Sequence, residues 1–336
     1  MTLLTYSLLL ILSVILIFFR IKGRRLSAAI VGTTIIIWSV VVRIAEPSVD
    51  IAYYNAIMTG EISPLLLGYF NEPVLWFFQM YLYRLTEDVF FTWFLGDVVL
   101  LSLCFVAIKN LRFGLNMDPQ SRSLDLYYPA IFAVILVSWP YFIGLSLTYR
   151  QFAAETLLLY SVSLVRASPT TGVLVFIAAC LTHNSVAFFA PMIGVLTRMP
   201  TLQIPSVLVA MAIPLVFIFV VSERESRYVG GLLAMAYPIF VLTVSVFMAF
   251  LVKYQKINVS KELFFINVFF PYLMINAWLF LPNGHAERFG QLTLAILFPI
   301  LLVFVVNKFR DRRFILTFMV VFCATPTLSF YGSMLS

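Results

Sequence analysis

The stretch "SLTYRQFAAE", residues 146–155, sets an arginine and a carboxylate into a strongly apolar context. Arg150 falls at the start of an apolar run, and Glu155 lies about a turn deeper. An arginine placed there can grip an anion, because its guanidinium is planar, stays protonated and pairs two oxygens at once. A helix N-terminus adds backbone N–H groups that favour the same anion. The plainer account of Arg150 is a long side chain that snorkels to the membrane surface. Glu155, and Asp97 in "FLGDVVL", read as intramembrane carboxylates, which are costly and usually paired or functional. His183 in "CLTHNSVAFFAP" and His285 in "LPNGHAERFGQ" are the two histidines of the chain, and the second sits beside another cation, Arg288. Histidine titrates near neutrality and can move a proton. The plainer readings are a turn cap for His183 and a surface ion pair with Glu287 for Arg288. No GxSxG, HExxH or Walker sequence is present. Cys104, Cys180 and Cys323 lie in apolar segments without metal-ligand spacing, so no metal and no cofactor is expected.

The elements that must position these groups are membrane helices. The chain has 336 residues, of which 62% are hydrophobic and 11% charged, and 34 are Phe. Apolar runs recur along its whole length, and each is long enough to cross a hydrocarbon core of ~30 Å. A β-barrel would show short alternating segments instead. The expectation is an all-α polytopic membrane protein, a single transmembrane domain over 1–336 with about 10–12 transmembrane helices. The clear spans are 3–19, 26–42, 89–108, 126–145, 150–165, 202–221, 230–252, 263–281, 289–306 and 314–331. Residues 73–87 are apolar but short, and 170–197 holds two short runs broken at "THNS".

Basic residues arbitrate between topologies, because they collect in short cytoplasmic loops. The same rule explains the net charge of +7 without nucleic acid as a partner. If 73–87 stays at the surface and 170–197 enters and returns, the outer side keeps Arg43, Arg84, Arg150, Arg224, Arg227 and Arg288. The other 16 of the 22 Lys and Arg then lie inside. Residues 43–88 become an outer loop followed by an amphipathic interfacial helix near 73–87. Nearly every chemically interesting residue then gathers at the outer face.

The order of short motifs resembles a known family. "D-x-x-Y-Y" (Asp50, Tyr53, Tyr54) is followed by "NEP" (71–73), "YRQFAAETLLL" (149–159), "ACLTHNSVAFFAP" (179–191) and "AERFGQL" (286–292). This series is similar to the EpsG-like branch of the Wzy-type O-antigen and capsular polysaccharide polymerases, over about residues 26–305. In that family an Arg-Gln opens a helix, a His-x-Ser turn follows some thirty residues later, and an arginine lies near the last outer loop. Arg150-Gln151, His183 with Ser185, and Arg288 stand at those places. The chain departs from the pattern at Val74-Leu75 after "NEP" and at Val49-Asp50 in the first loop. The first half also resembles the GT-C glycosyltransferases in shape, which by itself says little about function.

The resemblance implies a metal-independent glycosyltransferase that joins polyprenyl-diphosphate-linked oligosaccharide repeats for O-antigen, capsule or exopolysaccharide. It implies a multi-pass protein of the bacterial inner membrane with its active site on the periplasmic face. Its partners are then the lipid-linked donor and acceptor and membrane lipid, with a chain-length regulator protein as a candidate. The leaving diphosphate needs cations, which Arg150 and Arg288 supply, with Gln151 and Tyr149 orienting it. The acceptor hydroxyl needs a base, with His183 first and Asp50 or Glu72 second. Tyr54, His285 and Asn184 complete the candidate substrate-binding set. A flippase or transporter of the same lipid-linked oligosaccharide is the main alternative. An outer-face acyl or phospho-group transferase and a structural membrane subunit stand behind it.

Overall fold

The computed structural model describes residues 3–18, 23–44, 49–61, 73–114, 126–146, 148–197, 200–217, 233–254, 260–308 and 311–321. Among them there is no strand. The helices in chain order are α1 (Leu3–Phe18), α2 (Arg24–Ile44), α3 (Val49–Met58), α4 (Pro73–Thr86), α5 (Val89–Gly114), α6 (Tyr128–Val137), α7 (Trp139–Ser146) and α8 (Tyr149–Leu164). Then come α9 (Pro169–Thr182), a 3₁₀ segment (Asn184–Phe189), α10 (Ala190–Leu196), α11 (Pro200–Val216), α12 (Leu233–Tyr254), α13 (Lys261–Phe280) and α14 (Asn283–Lys308). Residues 312–321 are helical as well.

Four helical stretches are long and apolar enough to cross a membrane: Arg25–Ile44, Val89–Leu111, Lys261–Phe280 and His285–Asn307. The pair α6 and α7 makes a fifth if it counts as one span. The expected ten to twelve spans are therefore not reached by this measure among the described residues. The other apolar stretches counted there have 10–17 residues, and some of them are divided by breaks. The clearest case is the expected single span 126–145, which is bent by 65° between α6 and α7. The reason lies in "SWP". Pro140 cannot donate a helical N–H, and its ring crowds the preceding turn. Ser138 is extended (φ −70°, ψ 146°) and separates the two helices.

A bend at membrane depth exposes carbonyls that must find donors. Here they do. The Ser138 hydroxyl donates to Ile135 O at 2.6 Å, and the Tyr6 hydroxyl of α1 donates to Val137 O at 2.7 Å. A second departure is α3, a helix within the expected outer loop. It docks on α5, where Trp93 Nε1 donates to Asn55 Oδ1 at 2.7 Å.

Residues 73–86 form a helix with two unlike faces, as the sequence led us to expect. Leu75, Trp76 and Gln79 are buried, whereas Phe77, Tyr81 and Leu85 form an exposed stripe at helical spacing. Glu87 follows with φ 53°, the left-handed conformation that turns the chain out of α4. Asp88 then opens α5, its Oδ1 accepting from Phe91 N at 2.7 Å.

The centre of the bundle is α14, 94% of whose apolar window is buried. It packs against α5, α6, α7, α8, α12 and α13. Helix α8 is held between α5 and α9. Gly172 lets α9 turn back tightly, since a Cβ there would come within 2.5 Å of the Val165 backbone.

Candidate functional site

The C-terminal ends of α2 and α7 meet the N-terminal ends of α5, α8 and α14 at one end of the bundle. Three contacts fix this. Arg43 near the end of α2 reaches Asp97 in α5, with Nε donating to Oδ2 at 2.6 Å and Nη2 to Oδ1 at 2.8 Å. The same Nη2 donates to Leu145 O at the end of α7, at 3.2 Å. Gln151 Nε2 in α8 donates to Arg288 O in α14, at 3.2 Å.

Tyr149 and Gln151 are turned inward at the start of α8. Tyr149 is 0% exposed, its ring meets Trp93 edge-on at 4.7 Å, and the Arg43 guanidinium lies 5.0 Å from its centroid. Gly96 permits this approach, since a Cβ there would sit 2.8 Å from Tyr149 Oη and 2.9 Å from Gln79 Nε2. Tyr149 therefore packs the helix rather than lining a mouth. Gln151 Nε2 also donates to Glu155 Oε1 at 2.9 Å, so the buried carboxylate is bonded to an amide four residues back in its own helix. Both acceptors demand the same flip of the amide, which spends its N–H groups inward and leaves its oxygen as the remaining polar atom. Gln291 Nε2 of α14 adds a contact to Thr148 Oγ1 at 3.3 Å.

Arg150 itself is half-buried and Arg288 is exposed. They lie on neighbouring helix starts, brought together by the Gln151 to Arg288 O contact. Each stands in the first turns of its helix, where a cation opposes the helix dipole and a bound anion would offset it.

His183 reaches the same level through the α8–α9 hairpin. Ser161 Oγ donates to Gly172 O at 2.7 Å. Arg150 lies eleven residues before Ser161, and His183 lies eleven after Gly172. In antiparallel helices with an equal rise per residue, those two positions share a height. His183 ends α9 with an extended backbone, and its Nδ1 accepts from Ser185 N at 3.3 Å. A ring nitrogen that accepts carries no proton, so neutral His183 bears its proton at Nε2 and offers a donor there. Action as a base at Nδ1 goes through release of the Ser185 N–H.

The remaining expected site residues are spread more widely. Asn184 is exposed at the start of the 3₁₀ segment. His285 is half-buried in the first turn of α14, its N–H donating to Pro282 O at 2.8 Å. Tyr54 is buried between Trp76 and Trp93, at ring distances of 4.6 and 5.9 Å, and acts as core. Asp50 is the second residue of α3. Glu72 lies outside the described residues.

Sequence reasoning placed Arg43 on the outer side and marked Asp97 as an intramembrane acid, but did not pair them. Charge at span depth was the available signal. Gln79, 2% exposed beside Tyr149, had no signal beyond its polarity. Among the described residues, no group of three or more His, Cys, Asp or Glu side chains could hold a metal ion. No family model, curated protein or solved structure matches this chain.

Proposed function

We propose that this protein is a polysaccharide polymerase. In this reading it joins polyprenyl-diphosphate-linked oligosaccharide repeats at the outer face of a bacterial inner membrane. The arrangement is GT-C-like, with α4 lying in the outer interface on its Phe77, Tyr81 and Leu85 face. An acceptor sugar hydroxyl attacks the anomeric carbon of the donor. The bond from that carbon to the phosphate oxygen breaks, and the polyprenyl diphosphate leaves with the electron pair. The hydroxyl proton passes to a base, for which His183, Asp50 and Glu72 are the candidates.

The observation that carries this reading is the Gln151 contact to Arg288 O, which joins the two helix starts on which Arg150 and Arg288 stand. Two arginines within the first two turns of neighbouring helices suit an anionic diphosphate, for which N-terminal amides and forked guanidinium groups are complementary. His183, at the same height on the neighbouring helix, is the candidate proton-carrying group. The motif series through Arg150, His183 and Arg288 supports the same reading from sequence.

A flippase for the same lipid-linked oligosaccharide is the second reading. The 65° bend between α6 and α7 favours it, because broken helices often line transport sites. The test is incubation of the purified protein with polyprenyl-diphosphate repeat units, without nucleotide sugar or ATP. A ladder of products is expected from the wild type, and its absence from folded protein overturns the polymerase reading. Arg150→Lys keeps the charge but loses the fork, and should lower turnover or apparent affinity by ~10–100-fold. His183→Ala should lower turnover by ~10²–10⁴-fold. Normal ladders from a normally expressed Arg150→Lys protein would remove the arginine from the diphosphate.

A further inference from the structure

The Arg43–Asp97 pair has a poor rationale as a source of stability. The two side chains are 4% and 0% exposed. Burying two charges costs as much as their attraction returns, and apolar residues of similar volume often do as well or better. Within a membrane helix that balance is still less favourable, and ionisable groups there usually have a task. The surroundings of Arg43 indicate which task. Its guanidinium touches three elements at once. It is forked onto Asp97 of α5, it donates to Leu145 O at the end of α7, and it lies 5.2 Å from the Trp93 ring and 5.0 Å from the Tyr149 ring. Leu145 and Tyr149 stand on either side of the junction between α7 and α8, and Tyr149 directly precedes Arg150.

We propose that Arg43, clamped by Asp97, is a positioning residue that fixes the α7–α8 junction and so sets the depth and direction of Arg150. This rests on the reading of Arg150 as a ligand-binding cation. The carbonyl contact holds the end of α7, and the ring contact holds the first residue of α8. Asp97 fixes the guanidinium plane through two bonds, which a single point charge cannot do. Gly96 completes the arrangement by letting Tyr149 lie against α5. Placement matters in such a site, since a displacement of ~1 Å can cost ~10²-fold in rate.

The test uses the full chain in nanodiscs and the double variant Arg43→Met/Asp97→Leu, which leaves no unpaired charge and is expected to fold. Amide hydrogen exchange followed by mass spectrometry is the first readout. Exchange across 146–152 should be about tenfold faster than in the wild type, with the second half of α8 and α14 unchanged. Unchanged protection at 146–152 overturns the proposal, and so does a uniform loss of protection across the bundle. Arg43→Lys, which keeps the charge but loses the fork, should show the same local effect more weakly. Product ladders are the second readout. The double variant should show a raised KM for the lipid-linked donor at normal protein level, whereas a purely structural pair would leave KM unmoved. If the wild type makes no ladder, the polymerase reading falls and the exchange result alone decides the positioning role.

Discussion

Asp97 and Glu155 are both fully buried carboxylates, on the adjacent helices α5 and α8, and they are satisfied in opposite ways. Asp97 receives two bonds from a guanidinium that comes from 54 residues away. Glu155 receives one bond at Oε1 from its own helix neighbour Gln151, and its Oε2 has no hydrogen-bond partner among the described residues. One carboxylate joins separate helices through charge. The other tunes a single amide, and through it the contact to Arg288 O. A buried polar group can thus be a structural rivet or a local orienting device, and the identity of its partner decides which.

The largest effect should come from breaking the charged pair on one side. Asp97→Leu leaves the Arg43 guanidinium buried without its counter-charge, and the loss should be ~3–5 kcal/mol. Thermal unfolding in detergent should show a much lower midpoint, with less protein recovered from membranes. A midpoint near that of the wild type would show that Arg43 finds another acceptor. Glu155→Leu should cost less, ~1–3 kcal/mol, because one Gln151 N–H then loses its acceptor while no charge is stranded. The smallest effect belongs to Glu155→Gln, which keeps an acceptor oxygen at nearly the same place. Its stability should stay within about 1 kcal/mol of the wild type, with a nearly unchanged midpoint. A Glu155→Gln loss as large as that of Asp97→Leu would erase the contrast and mark Glu155 as an ionic partner too.

The comparison also shows what the sequence could and could not reveal. Hydropathy placed α2, α5, α13 and α14 within a few residues of where they lie, and the helix near 73–87 was legible as a short apolar run. The break at His183 was legible as well, in the polar run "THNS". Depth in the membrane follows from chain position, so the gathering of Tyr149, Gln151 and Arg288 at one end could be read from parity. Azimuth does not follow from it. Whether Tyr149 points inward depends on Gly96 and Trp93 of another helix, and the partner of Asp97 depends on how α2 packs. The bend between α6 and α7 had its signal in Pro140, but a hydropathy run reads through a proline. Helix α3 is ten residues long and falls in a stretch whose charges mark it as loop.

One consequence follows from the enclosure of α14. A helix surrounded on nearly every side by other helices meets almost no lipid. Thickening or thinning the bilayer acts on elements that border the acyl chains, by tilting them or shifting their anchors. Helices α11 and α12 are such elements, with long exposed apolar faces. The start of α14 is instead held in register with α8 by Gln151 and Gln291. The separation of Arg288 from Arg150 is therefore set by protein alone, and should be the same in short-chain and long-chain lipids while the periphery adjusts around it.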